Sequence, residues 1–189
     1  MDAIRKSLDA ISKLTDADWK IFSSKLKKHE IKKGDALLRA GDVERYLSFI
    51  VEGSARIYIP KIENDVTVGF VYENEFVSSY ASFLTKETST FQIEAMSATV
   101  LWRLTYTDLQ DIYKETENGN TIGRVTAETL FLTKSKREES LLTQSAEERY
   151  TRLFKERPKL IKEIPLKYLA SYIGVTPQAL SRIRKRISR

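Results

Sequence analysis

A chain of 189 residues with 41% hydrophobic side chains has the apolar content for a real core, in one large domain or two modest ones. Zero cysteines exclude disulfides, thiolate zinc sites, a cysteine nucleophile and cysteine-ligated iron–sulfur clusters. The net charge of +6 is unevenly placed: from Lys134 onward 15 Lys and Arg stand against 6 Asp and Glu, a balance of +9, which leaves −3 for residues 1–133 and points to a polyanion partner for the C-terminal third.

The sequence has neither an apolar run of about 18 residues nor a cationic leader ahead of an apolar stretch, so no membrane span or secretion signal is expected and the setting is cytoplasmic. In chain order, Ile4, Leu8 and Ile11 share one face of a helix over residues 3–14. Thr15 with Asp18 opens a second helix, whose Trp19, Phe22 and Leu26 form a stripe. From Glu30 to about Leu104 the texture changes to short runs rich in Val, Ile, Tyr and Phe, punctuated by Gly34-Asp35, Gly41-Asp42, Glu52-Gly53 and Glu63-Asn64-Asp65. Strands are expected over 47–51, 55–59, 66–71, 91–96 and 100–104, at spacings typical of a small all-β barrel or roll.

Leu109, Ile112 and Tyr113 begin another helical pattern. Beyond Asn118-Gly119-Asn120 the recurrence of Ile122, Val125, Thr129 and Leu132 predicts a long helix from about Thr121 to Leu142, either a dimer seam or a helix packed on its own β domain. Ser145-Ala-Glu-Glu148 is a capping box; it opens a helix with Ala146, Tyr150, Leu153 and Phe154 inward, Arg149, Arg152 and Lys155 outward, and Pro158 as its stop.

The last two dozen residues read as two short helices meeting at Gly174. Leu169 and Ile173 lie on one face of the first, Leu180 and Ile183 on one face of the second, and Val175 fills the corner. Ala170 is small where the helices would press together, and Gly174 supplies the positive φ of a sharp turn. Thr176 offers an N-cap hydroxyl and Pro177 fits the first helical position. The pattern is that of a DNA-reading helix-turn-helix, the plainer alternative being a helical hairpin with solvated charges. Thr176, Gln178, Ser181, Arg182, Arg184, Lys185 and Arg186 are the candidate DNA-binding residues, with Arg189 beyond them.

Helix, β-roll, long connecting helix and terminal helix-turn-helix is a layout that resembles the catabolite-activator and fumarate-nitrate-regulator (Crp/Fnr) family of bacterial transcription regulators along the whole chain. Lys33-Gly34-Asp35 leading into Leu37-Leu38, then Ala40-Gly41-Asp42, then Phe49-Ile-Val-Glu-Gly-Ser-Ala-Arg-Ile57 look like that family's cyclic-nucleotide-binding-like roll. The resemblance implies an α+β chain: an N-terminal double-stranded β-helix, jelly-roll-like, with flanking helices (residues 1–119), a connecting dimer helix (120–143), and an all-α helix-turn-helix domain (144–189). It also implies double-stranded DNA, a second copy of the chain and RNA polymerase as partners. The family's base- and phosphate-touching positions fall on Thr176, Gln178 and Arg182, while Pro177 replaces an arginine often found there.

Two departures stand out. Where cyclic-nucleotide binders carry a Gly-Glu pair and a later Arg-Ser pair, this sequence has Ser78-Ser79 and Ser89-Thr90, so the phosphate-neutralising arginine is absent. Losing that contact and a carboxylate to the ribose, at roughly 1.5–3 kcal/mol each, weakens affinity about 100-fold or more and argues against cyclic AMP as a tight effector. Ser78, Ser79, Ser82, Ser89 and Thr90, with Lys86 nearby, remain candidates for a pocket that takes another small effector or is filled by its own side chains. The sequence also stops at Arg189, where the family adds a β-hairpin wing: either the wing is missing or the sequence ends short of it.

A single histidine, His29, in a Lys-Lys-His-Glu context reads as solvated rather than as a haem ligand, and no metal-spaced set, phosphate loop or Gly-x-Gly-x-x-Gly run is present, so no catalytic residue, metal or cofactor is assigned and no enzyme is expected. The competing function is a ligand-binding or protein-interaction module of the same fold that no longer binds DNA, suggested by Pro177 and the absent wing.

Overall fold

The computed structural model describes residues 1–187. By contacts it divides into two compact units, residues 1–60 with 69–129, and residues 61–68 with 130–189. In chain order the elements are α1 (Asp2–Asp9), α2 (Asp16–Lys25), β1 (Lys27–Ile31), β2 (Ala36–Leu38), β3 (Tyr46–Glu52), β4 (Ala55–Ile59), β5 (Val66–Val71), β6 (Phe76–Val77), α3 (Tyr80–Thr85), β7 (Gln92–Ala95) and β8 (Thr99–Thr105). They continue as α4 (Tyr106–Glu115), α5 (Gly119–Thr143), α6 (Ala146–Glu156), α7 (Pro158–Glu163), α8 (Leu166–Ile173) and α9 (Pro177–Ile187).

The first unit is an antiparallel jelly roll with helices around it. One sheet has the order β1-β8-β3-β6 and the other β2-β7-β4-β5, so strands distant in sequence lie side by side. Strand β8 pairs antiparallel with both β1 and β3, and β7 with both β2 and β4. Between the sheets Leu38, Ile50, Ala55, Val71, Val77 and Ile93 form one core. A second core joins the helices to the roll: Ile4 and Leu8 of α1, Phe22 of α2, Phe49, Phe83, Leu104, and Leu109 and Ile112 of α4. Thr15 caps α2 by accepting from the Asp18 N–H at 3.0 Å, which satisfies one of the helix's unpaired first-turn donors. Gly53 turns β3 into β4 at φ 92°, and a Cβ there would sit 2.5 Å from the Ala98 carbonyl oxygen.

Strand β1 was not expected as a strand. Its sequence Lys-Lys-His-Glu-Ile lacks apolar alternation because it is an edge strand, with Lys27, Lys28 and Glu30 exposed and only one neighbour to pair with. His29 on it is half-buried rather than solvated, and burial together with Arg103 holds its pKa down.

In the second unit Tyr150 and Leu153 of α6, Leu160 of α7, Ile164, Leu169, Ala170 and Ile173 of α8, and Leu180 and Ile183 of α9 are buried. Pro158 ends α6, as expected, and also begins α7 as its first residue, a helix with no sequence-based expectation. Phe154 corrects the expected inward set: it is 57% exposed. Residues 61–68 are held in this unit by Ser171, whose hydroxyl accepts from the Thr67 N–H at 2.9 Å and donates to the Asp65 carbonyl at 2.7 Å. Arg137 donates to the Tyr172 carbonyl at 2.9 Å and lies over the Tyr172 ring at 3.9 Å.

Among the described residues no helix is long and apolar enough to cross a membrane, and no group of three His, Cys, Asp or Glu is placed to hold a metal ion.

Candidate functional site

The helix pair α8–α9 is built as its residues require. Gly174 closes α8 in the left-handed conformation, φ 84° and ψ 36°, with its N–H returned to Ala170 and Ser171, the usual way to end a helix sharply. Val175 N–H also reaches the Ala170 carbonyl, at 3.0 Å. Thr176 then caps α9, its hydroxyl accepting from the Ala179 N–H at 3.2 Å. Ala170 is fully buried between the two helices, where a larger side chain would push them apart.

With about 100° between successive residues, Gln178, Ser181, Arg182 and Lys185 span an arc of about 100° opposite the buried Leu180 and Ile183. All four are exposed, as are Thr176, Arg184 and Arg186. Arg184 and Arg186 flank the arc on either side. Arg186 also contacts the Glu147 carboxylate of α6. Arg189 lies outside the described residues. The arc therefore presents an amide, a hydroxyl, a guanidinium and an ammonium from a rigid helix, the donor and acceptor set that reads base edges and holds phosphates.

Arg149 went unrecognised by spacing, which placed it outward. It is half-buried, with Nε donating to the Ile173 carbonyl at 2.8 Å and a terminal nitrogen donating to the Gln144 carbonyl. It thus meets unpaired carbonyls at the ends of α5 and α8, where a cation is favoured.

In the roll, the five candidate pocket residues separate. Ser79, Ser82 and Ser89 are buried, Ser78 is half-buried and Thr90 is exposed. The four serine hydroxyls are engaged with the chain itself: Ser79 and Ser89 hydrogen-bond to each other at 2.8 Å, and Ser78 donates to the Tyr46 carbonyl at 3.0 Å. Ser82 accepts from the Glu44 N–H at 3.0 Å and donates to the Glu87 carbonyl. Lys86 turns to its own helix, donating to the Phe83 carbonyl at 2.9 Å and lying over the Tyr106 ring. A cavity lined by Leu37, Glu44, Tyr46, Ser48, Ile93 and Arg103 among others retains about 10 Å³, close to the space of one water.

Glu44 is the roll residue that the sequence did not single out. It is 6% exposed, and its two carboxylate oxygens accept from the Tyr46 N–H at 3.0 Å and the Ser79 N–H at 3.2 Å. Burial pushes its pKa up, against those bonds and the Arg103 charge. One acidic residue between Val43 and Arg45 carries no spacing signal that would have marked it.

Residues 28–116 match the family model of the cyclic nucleotide-binding domain, so the roll has that domain's fold. The chain as a whole has the fold of Crp/Fnr-type transcription regulators. It superposes on the c-di-GMP-responsive global regulator CLP of Xanthomonas campestris with a TM-score of 0.70 at 17% identity, over 92% of each chain. For FixK2 of Bradyrhizobium japonicum the TM-score is 0.68 at 16% identity, covering 86% of this chain and 84% of that one. For the catabolite activator protein of Thermus thermophilus it is 0.59 at 18% identity, covering 96% and 86%. No curated protein sequence matches.

Proposed function

We propose that this protein is a homodimeric, cytoplasmic, sequence-specific DNA-binding transcription regulator of the Crp/Fnr type, acting on RNA polymerase at promoters and performing no catalysis. The observation that carries this reading is the α9 arc of Gln178, Ser181, Arg182 and Lys185, held rigid by Gly174 and Thr176 and exposed over its whole length. In a major groove, Gln178 pairs with adenine and Arg182 with guanine, each bidentate contact discriminating by about 1–3 kcal/mol. Ser181 shares the reading of base edges, while Thr176, Arg184, Lys185 and Arg186 hold phosphates and fix the register. Catabolite activator is one of the standard cases of this docking mode, in which a dimer sets two such helices about 34 Å apart on an imperfect palindrome.

Support for the dimer comes from α5, which leaves Phe131, Leu132 and Leu142 at 68%, 57% and 79% exposure. Its first turns pack at home, with Ile122 in the core of the first unit, so the seam lies beyond that residue. The roll does not take a cyclic nucleotide in the usual way: Ser79 and Ser89, which stand where the ligand's ribose and phosphate partners would be, are bonded to each other.

Selection of bound duplexes from a random pool, followed by affinity measurements on the selected site and on unrelated DNA, tests this reading. Arg182→Ala is expected to lose at least about 10-fold on the selected site and less on unrelated DNA. Equal losses on both would show that Arg182 holds phosphate and reads no base.

A further inference from the structure

The segment 39–45 between β2 and β3 is stitched to the segment around α3 and residues 87–89 by backbone bonds and by the side chains of Ser82 and Glu44. Gly41 N–H donates to the Ser89 carbonyl and Ser89 N–H to the Asp42 carbonyl, both at 2.8 Å, and Val43 bridges Thr88. At the centre of this seam is a charge-bearing side chain with almost no access to water. The Tyr46 and Ser79 N–H groups come from opposite sides of the seam and converge on the two oxygens of Glu44. Arg103 lines the same small cavity, its guanidinium over the Tyr46 ring at 4.2 Å.

Two convergent N–H donors beside a guanidinium are a small-anion site by their chemistry, whichever carboxylate fills it. Among the described residues those two N–H groups bond to the Glu44 carboxylate. A buried N–H left without an acceptor is costly, so the site must be filled for the seam to close.

We infer that Glu44 is the resident anion of the roll: its carboxylate fills a preformed carboxylate-sized site between segment 39–45 and the α3 segment, so the seam closes on folding without a bound anionic effector. This deepens the reading of the roll as one that works without a cyclic nucleotide, and it rests on that reading only for its regulatory meaning. The geometry of the site stands independently of DNA binding. The ligand class that the emptied site would take is a small monocarboxylate.

Glu44→Ala removes the atoms of one acetate ion and keeps the Cβ. Both tryptophans, Trp19 and Trp102, lie in the first unit, so thermal melting of the full-length chain followed by tryptophan fluorescence reports on the roll. The variant is expected to melt at least about 3 °C below the unsubstituted protein. Added acetate should restore at least half of that difference with a saturable dependence, while chloride at equal ionic strength and neutral acetamide should not. The unsubstituted protein should respond to acetate no more than to chloride. Unchanged melting of the variant, or a response to acetate no larger than to chloride, overturns the inference.

Should the variant fail to fold, amide hydrogen exchange on the unsubstituted protein decides. The Tyr46 and Ser79 N–H groups should exchange as slowly as the β3–β8 ladder, and fast exchange of either overturns the inference. Neither readout involves DNA, so a protein that fails to bind duplexes refutes the proposed function without touching this result.

Discussion

Arg149 Nε donates to the carbonyl of Ile173 at 2.8 Å, the last residue of α8 before the Gly174 turn. The same guanidinium reaches the Gln144 carbonyl, one residue past α5. One side chain thereby satisfies carbonyls at two helix ends and fixes how α6 meets the turn that launches α9. Charge-assisted hydrogen bonds of this kind contribute about 1.5–3 kcal/mol when partly shielded. Arg149→Ala is expected to lower the unfolding free energy by about 1–3 kcal/mol and to weaken DNA binding although Arg149 is not itself on the α9 arc. Arg149→Lys should recover only part of the stability, since an ammonium cannot span both carbonyls as a planar fork does. Chemical denaturation of the three proteins measures the stabilities, and their affinities for the selected duplex measure the effect on DNA binding.

Two glycines separate the cost of conformation from the cost of space. Gly174 has φ 84°, and a Cβ there would meet nothing nearer than Leu141 Cδ2 at 3.6 Å, so Gly174→Ala should cost about 1–2 kcal/mol from φ alone. Gly53 has φ 92° and a Cβ would fall 2.5 Å from the Ala98 carbonyl oxygen and 2.9 Å from Thr99 Cα. Backbone on both sides must move, so Gly53→Ala should cost clearly more, about 3 kcal/mol or above. Equal losses in denaturant titrations would contradict this ordering.

Acid stability follows from Asp18, which is 2% exposed and accepts from the Glu117 N–H at 3.0 Å and from Asn118 Nδ2 at 3.2 Å. Burial raises its pKa, but the hydrogen bonds prevail and hold it below the usual aspartate range. A carboxylate with a depressed folded pKa contributes stability that is fully present above the unfolded value and lost as pH falls through the folded one. Asp18→Asn should therefore be destabilised near neutral pH by about 1–3 kcal/mol, with the gap to the unsubstituted protein closing below about pH 4. Unfolding free energies measured from pH 7 downward check the sign.

The exposed apolar side chains of α5 predict the assembly state. Leu132→Glu and Phe131→Glu place charge on the surface assigned to the second copy. Desolvating an unpaired carboxylate there should shift the protein from dimer to monomer in sedimentation at micromolar concentration, while melting of the roll changes little.

The sequence was most legible where local chemistry and tertiary packing agree. Thr15, Ser145, Thr176, Gly53 and Gly174 each announced a cap or a turn through a residue type that has few other uses, and the structure places each in that role. The long helix and the three apolar strands over 47–51, 55–59 and 66–71 were readable because their periodicity is long or their burial continuous. Strand β1 and helix α7 were not, because an edge strand can be charged and a six-residue helix offers less than two turns of pattern. At the site, outward positions on α9 follow from spacing alone. The partners of Glu44 and Arg149 do not, since they are backbone groups far along the chain or across a turn, and backbone leaves no mark in the sequence.

Binding of the 189-residue chain to its selected duplex across salt concentration tests most directly whether α9 and its flanking cations engage duplex DNA. With six or more phosphates neutralised, affinity should fall about 1,000-fold or more between 50 and 200 mM salt, and the selected site should be preferred over unrelated duplex by at least about 1,000-fold. Absence of binding at 50 mM salt, or equal and salt-insensitive binding to both duplexes, would contradict the account and leave the fold as an interaction module without a nucleic-acid partner.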